Sequence, residues 1–237
     1  MEYVSKAELE KERTPSELWN WVKQKNDQIY YASDEGRKAL RLHKGRTKQL
    51  MEEIYPLGIW AERKFGSTDQ ILLKPVIGSQ NYDAIVIDKR TEPSTETYIE
   101  ITQAHEGEND YWRRCQLLNK GYVFSNAPVI KSGKGKNLQV SIPETATPVE
   151  EGVKNELDRI VDAANRKANK NYPDNTSLII FFDDTELSEE RLKALNLPTL
   201  DDFVKKNLMN LNLTFTTLYL VGGAKVVFRE YPIKQKE

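Results

Sequence analysis

Residues 82–88 read Tyr-Asp-Ala-Ile-Val-Ile-Asp and residues 97–103 read Thr-Tyr-Ile-Glu-Ile-Thr-Gln, two β-branched runs joined by the polar loop Lys-Arg-Thr-Glu-Pro-Ser-Thr-Glu. A third run, Ile-Leu-Leu-Lys-Pro-Val-Ile at 71–77, precedes them across the turn-forming Gly-Ser-Gln-Asn. Short runs of this composition bounded by turn residues read as strands, so 71–103 is a three-stranded meander. Two acids interrupt it. Side chains alternate between faces along a strand, which puts Asp83 with Ile85 and Ile87, and Glu100 with Tyr98 and Thr102. An ionised carboxylate is costly to bury without a cation beside it. If the strands are neighbours, both acids face one point, a placement that suits Mg²⁺ or Mn²⁺, hard cations that take oxygen ligands and retain waters. The alternative is that Asp83 belongs to the turn with Asn81 and that Glu100 pairs with a lysine.

Outward from the meander the chain is helical on both sides. Thr14-Pro15-Ser16-Glu17 forms a capping box ahead of Leu18, Trp19 and Val22. A helix from Thr47 is marked by Leu50, Ile54, Leu57, Ala61 and Phe65, with a kink expected at Pro56 and an end at Gly66. After the meander the pattern predicts a helix over 108–120 ended by Gly121, a strand-like stretch at 122–124, and a flexible turn at 131–137. A helix over 148–170 follows, opened by a capping box from Thr147 to Glu150 with Pro148 at its first position. Its stripe is Val149, Val153, Leu157, Ile160, Ala164 and Ala168. Residues 177–182, Ser-Leu-Ile-Ile-Phe-Phe, form an uninterrupted apolar run of the kind found in a strand buried on both faces. A helix over 200–211 and a hairpin turned at Gly222-Gly223 complete the chain. This order predicts an α/β fold with a mixed central sheet flanked by helices. The expected division is an N-terminal helical extension, 1–46, on an α/β domain, 47–237, in one compact unit.

Charged residues make up 30% of the 237, and no apolar run approaches the roughly 20 residues of a membrane span, so neither a membrane partner nor disorder is expected. Cys115 is the only cysteine, which excludes an internal disulfide and favours a reducing, cytoplasmic setting. His43 and His105 lack partners at zinc-ligand spacing, and no G-x-S-x-G nucleophile elbow is present. Residues 37–48 carry six Lys or Arg and no acid, a run able either to neutralise phosphates or to serve as a solvated helix face.

Helix, strand, strand with Asp83, strand with Glu100-Ile101-Thr102, helix, strand: in this order the chain resembles the restriction-endonuclease-like PD-(D/E)XK superfamily. The resemblance spans residues 47–125, or 47–182 if the long helix and residues 177–182 complete the sheet. It implies that Asp83 and Glu100 bind Mg²⁺ or Mn²⁺ and that a glutamate on the preceding helix, Glu53 or alternatively Glu62, assists. Where the family carries lysine two residues after the glutamate, this chain has Thr102, so Gln103, His105 or Lys74 would have to substitute. The helix after the third strand borders the active site in that family, which offers Arg113, Arg114 and Gln116 to phosphate alongside Lys44 and Arg46. The implied function is a divalent-metal-dependent endonuclease acting on DNA, with a homodimer as an option. The alternative is an inactive nuclease-fold module that binds nucleic acid or a protein.

Overall fold

The computed structural model describes residues 2–124 and 127–233. Five helices precede the sheet, the first four being α1 (Lys6–Leu9), α2 (Pro15–Ala32), α3 (Asp34–Arg41) and α4 (Thr47–Gln49). The capping box at Thr14 forms as expected, with Glu17 and Thr14 exchanging bonds. From α4 the chain runs through a π turn, Leu50–Ile54, into α5 (Tyr55–Phe65). Just ahead of Pro56, where a kink is expected, lies that π turn, in which Tyr55 N–H reaches the carbonyl of Leu50. The wider turn absorbs a proline that has no N–H and whose ring would otherwise press on the carbonyl four residues back. Gly66 ends α5 at φ 62.

The meander follows as β1 (Ile71–Pro75), β2 (Ala84–Asp88) and β3 (Thr95–Gln103). Next come α6 (Glu108–Lys120), the small hairpin β4 (Ile130–Ser132) and β5 (Gln139–Ser141), α7 (Val149–Lys167), β6 (Thr176–Phe182), α8 (Glu189–Ala194), α9 (Leu200–Asn207), β7 (Thr217–Gly222) and β8 (Phe228–Pro232). The fold is mixed α/β, with a central six-stranded sheet in the order β1-β2-β3-β6-β7-β8. Its centre, β3-β6-β7, is parallel, and both flanks are antiparallel. Parallel neighbours need long crossovers, supplied here by the α6–α7 and α8–α9 segments. As the apolar run required, β6 is an interior strand, buried at every position but Phe181.

Each sheet face carries its own core. On one, Ile99, Ile101, Ile179 and Val221 pack with Leu18, Trp19 and Val22 of α2 and with Leu57 and Trp60 of α5. On the other, Leu178, Ile180, Leu218 and Leu220 pack with Val153, Leu157, Ile160 and Ala164 of α7 and with Phe203 and Val204 of α9. Helix α2 thus shares a core with the meander, and Arg13 extends β1 by a bridge to Leu73.

Four local expectations are corrected. Helix α7 runs only from Val149 to Lys167, with Pro148 at its N-cap contributing no side-chain bond, and Val149 is exposed rather than part of the buried stripe. Residues 122–124 form no strand. Residues 131–137 hold the end of β4 and a 3₁₀ turn, Gly135–Asn137, in place of a flexible turn. Helix α9 stops at Asn207. Among the described residues no helix is long and apolar enough to cross a membrane.

Candidate active site

Asp83 sits one residue ahead of β2. The pairing of Ala84 with Ile99, continued by one step, sets Asp83 opposite Glu100, and Asp83 N–H donates to the Ile99 carbonyl at 2.7 Å. Directly opposed residues share a face, so the two acids stand together on the side of the sheet that α7 covers. The Asp83 carboxylate accepts the Ile101 N–H at 2.6 Å. It makes no turn with Asn81, whose amide instead reaches the Asn171 carbonyl at 3.0 Å.

Glu100 is buried, 7% exposed, and its Oε1 accepts from Lys167 Nζ. Pairing of Glu100 with a lysine, one of the two options open from the sequence, is therefore realised. Lys167 is the last residue of α7, and it lies in phase with the buried stripe of that helix through Ile160 and Ala164. Burial and the neighbouring Glu100 charge push the Asp83 carboxyl up to about 7, against the opposing pull of the Ile101 N–H and Lys167. Glu53, half-buried on the π turn, is pushed to about 8 by burial and by the charges of Asp83 and Glu52. Burial, together with the Glu100 and Asp83 charges, also raises the Tyr172 hydroxyl, which places that ring beside the pair.

Glu53, Asp83, Glu100 and Lys167 thus form one electrostatic unit in which three acids face one directly paired ammonium. Such a unit is short of positive charge, and Glu53 and Asp83 answer by holding their protons more tightly. Its donors are carboxylate oxygens, the type a hard divalent cation takes. Among the described residues no three His, Cys, Asp or Glu side chains are grouped closely enough to hold a metal ion. A cation here would rest on Asp83 and Glu100, with water or substrate oxygen completing its shell.

The chain matches no family model, no curated protein and no solved structure. The candidate site is accordingly defined by its own geometry.

That geometry separates the other candidates. Gln103 is out of phase with Glu100: its amide donates to the Met51 carbonyl at 3.2 Å on the α5 side of the sheet. It braces the π turn and does not replace the missing lysine. Thr102 shares the face of Glu100 and is buried. Lys74 is exposed on β1, beyond β2 from Glu100. The His105 ring accepts the Gly107 N–H at 2.9 Å, and burial lowers its pKa. Glu62 is committed to Lys225, at 2.9 Å, in the β7–β8 turn.

The expected phosphate ligands also divide. Arg113 is withdrawn from that role, because its buried guanidinium bonds Glu106, Asp110 and the Ala127 carbonyl. Those partners fix the loop after α6 and turn the guanidinium inward. Arg46 pairs with Glu2, and Lys44 is exposed. Among the described residues neither Arg114 Nε nor Gln116 Nε2 has a hydrogen-bond partner.

Lys167 was missed because it is separated from Glu100 by the whole α6–α7 crossover. The signal was nevertheless present. Extending the stripe Val153, Leu157, Ile160, Ala164 by three residues lands on Lys167 before it lands on Ala168, and a lysine at a core-facing position asks for a buried acid.

Proposed function

We propose that the protein is a divalent-metal-dependent phosphodiesterase with a restriction-endonuclease-like core, cutting DNA. The carrying observation is the apposition of Asp83 and Glu100 on β2 and β3 with Lys167 set against Glu100. The meander, the following helix and the interior β6 support the same reading of the core.

Asp83 and Glu100 would hold Mg²⁺ or Mn²⁺, which when bound supplies Lewis acidity toward a phosphodiester oxygen and lowers the pKa of the attacking water. Lys167, fixed by Glu100, presents a positive charge at the position that Thr102 cannot serve. An ammonium there stabilises the charge that builds on the phosphoryl oxygens as water attacks phosphorus and the P–O bond to the leaving strand breaks. Glu53, with a carboxyl that exchanges its proton near neutral pH, assists through water.

Cleavage assays on a labelled duplex and a labelled single strand test this. Asp83→Asn should lower Mg²⁺-dependent cutting by about 100-fold or more while leaving binding intact. Lys167→Met should lower kcat with little change in KM, as expected for a group that acts mainly in the transition state. A wild-type protein that cuts neither substrate with Mg²⁺ or Mn²⁺ overturns the proposal.

A second reading, a module of this fold that binds without cutting, is favoured by one observation. Lys167 and the Ile101 N–H already satisfy Glu100 and Asp83 within the protein. Under that reading, neither substitution changes any activity on nucleic acid.

A further inference from the structure

Between the N-terminal helices and α6 lies a cleft of about 380 Å³, within the size range of small-molecule sites. Leu40, Met51 and Leu117 give it apolar walls. Its polar groups are placed differently from those of an ordinary surface. Asn26 and Arg114 line it, and among the described residues neither Asn26 Oδ1 nor Arg114 Nε has a hydrogen-bond partner. A buried polar atom left unpaired forfeits its hydration without recompense, so both side chains gain from turning toward a polar occupant of the cleft. Arg41 stands at the rim with its guanidinium held by the Tyr30 hydroxyl at 3.2 Å, and Asp27 is the one acid among the described residues that line the cleft. His43, also at the rim, is anchored to Glu52 at 2.8 Å, and Glu52 precedes Glu53 on the π turn.

We infer that this cleft receives one unpaired nucleotide of the substrate strand, base inward and phosphate on Arg41 and Arg114. A nucleobase has apolar faces for Leu40, Met51 and Leu117 and an edge of donors and acceptors for the Asn26 carboxamide, the pairing by which asparagine reads adenine. The rim is cationic, which matches a phosphate, and the π turn joins the cleft to the carboxylate site. The inference rests on the nuclease reading for its substrate. It adds that strands with unpaired or extruded nucleotides are preferred over intact duplex.

The test uses the full chain without metal and two probes, deoxyadenosine 5′-monophosphate and deoxyribose 5-phosphate, followed by calorimetry. Wild type and Asp83→Asn should bind the nucleotide saturably, at least about tenfold more tightly than the sugar phosphate. Leu117→Trp, which fills the cleft, should abolish that binding. Asn26→Ala should weaken it about fivefold, the loss of one hydrogen bond, and it decides the matter if Leu117→Trp fails to fold by circular dichroism. No nucleotide binding by wild type, equal affinity for the sugar phosphate, or undiminished binding in Asn26→Ala would each overturn the inference. Nucleotide binding without metal-dependent cleavage would sink the nuclease proposal alone. Cleavage without nucleotide binding would sink this one alone.

Discussion

Glu53 and Asp83 hold their protons more tightly in the folded chain than an unfolded chain would, at about 8 and about 7 against ordinary values near 4. A group with a raised folded pKa adds stability that is complete below its unfolded value and disappears as pH climbs through the folded one. Stability from these two residues therefore declines between about pH 4 and pH 8. Replacing Glu53 by glutamine removes the charge that causes the decline. The expected result is a Tm about 2–4 °C higher than wild type at pH 8 and unchanged at pH 5, by thermal melts in metal-free buffer. A lower Tm at pH 8 would mean that Glu53 is well solvated. At this scale the sequence exposed Asp83 and Glu100, because an acid in an apolar strand stands out one residue at a time. It did not expose Lys167, whose partner lies in a distant element, and Gln103 could have met Glu100 only through a bulge, which the unbroken pairing of β3 lacks.

Elements were legible where one local rule decided them. The meander, α6 with Gly121, and interior β6 follow from periodicity and turn residues alone, and α2 follows from its capping box. Thr14→Ala removes that cap and should lower stability by about 1 kcal/mol in urea unfolding. Elements misread were those settled by neighbours. Residues 122–124 have strand-like composition but find no strand to pair with, and the π turn ahead of Pro56 follows from no periodicity in the sequence. Helix α7 matters doubly, as a packing element and as the carrier of Lys167. Ile160, 0% exposed at the centre of its stripe, should cost about 2–5 kcal/mol on truncation to alanine, measured by the same unfolding curves. Because Ile160 lies two turns from Lys167, that variant should also displace the ammonium from Glu100 and reduce any cleavage beyond what the weakened fold explains.

For the whole molecule, if it acts on nucleic acid as proposed, exposed charge would govern the encounter. Lys44 is exposed, whereas Arg46 is engaged with Glu2, so reversal of Lys44 to glutamate should weaken DNA binding more than reversal of Arg46. Each phosphate that the variant no longer neutralises should flatten the slope of log affinity against log salt by about 0.9, alike for all sequences. Gel shifts across a salt series measure this, and an unchanged slope in Lys44→Glu would remove residues 37–48 from the interface. Sequence composition located that basic run but could not tell exposed from paired cations, since Glu2 is far from Arg46 along the chain.

The parallel centre of the sheet has a consequence for the chain as it is made. The strands β1, β2 and β3 lie side by side in sequence order, whereas the pairing of Tyr98 with Thr176 waits for the whole α6–α7 crossover. At a synthesis rate of about 5–20 residues per second, β3 is an open edge for several seconds before β6 emerges. An open edge invites pairing with other chains, and an acid pointing inward along it is one of the devices that discourages this. Glu100 occupies such a position. The carboxylate that Lys167 partners in the finished protein stands without that ammonium before α7 and β6 are made, and a charge so placed disfavours pairing of the edge with another chain.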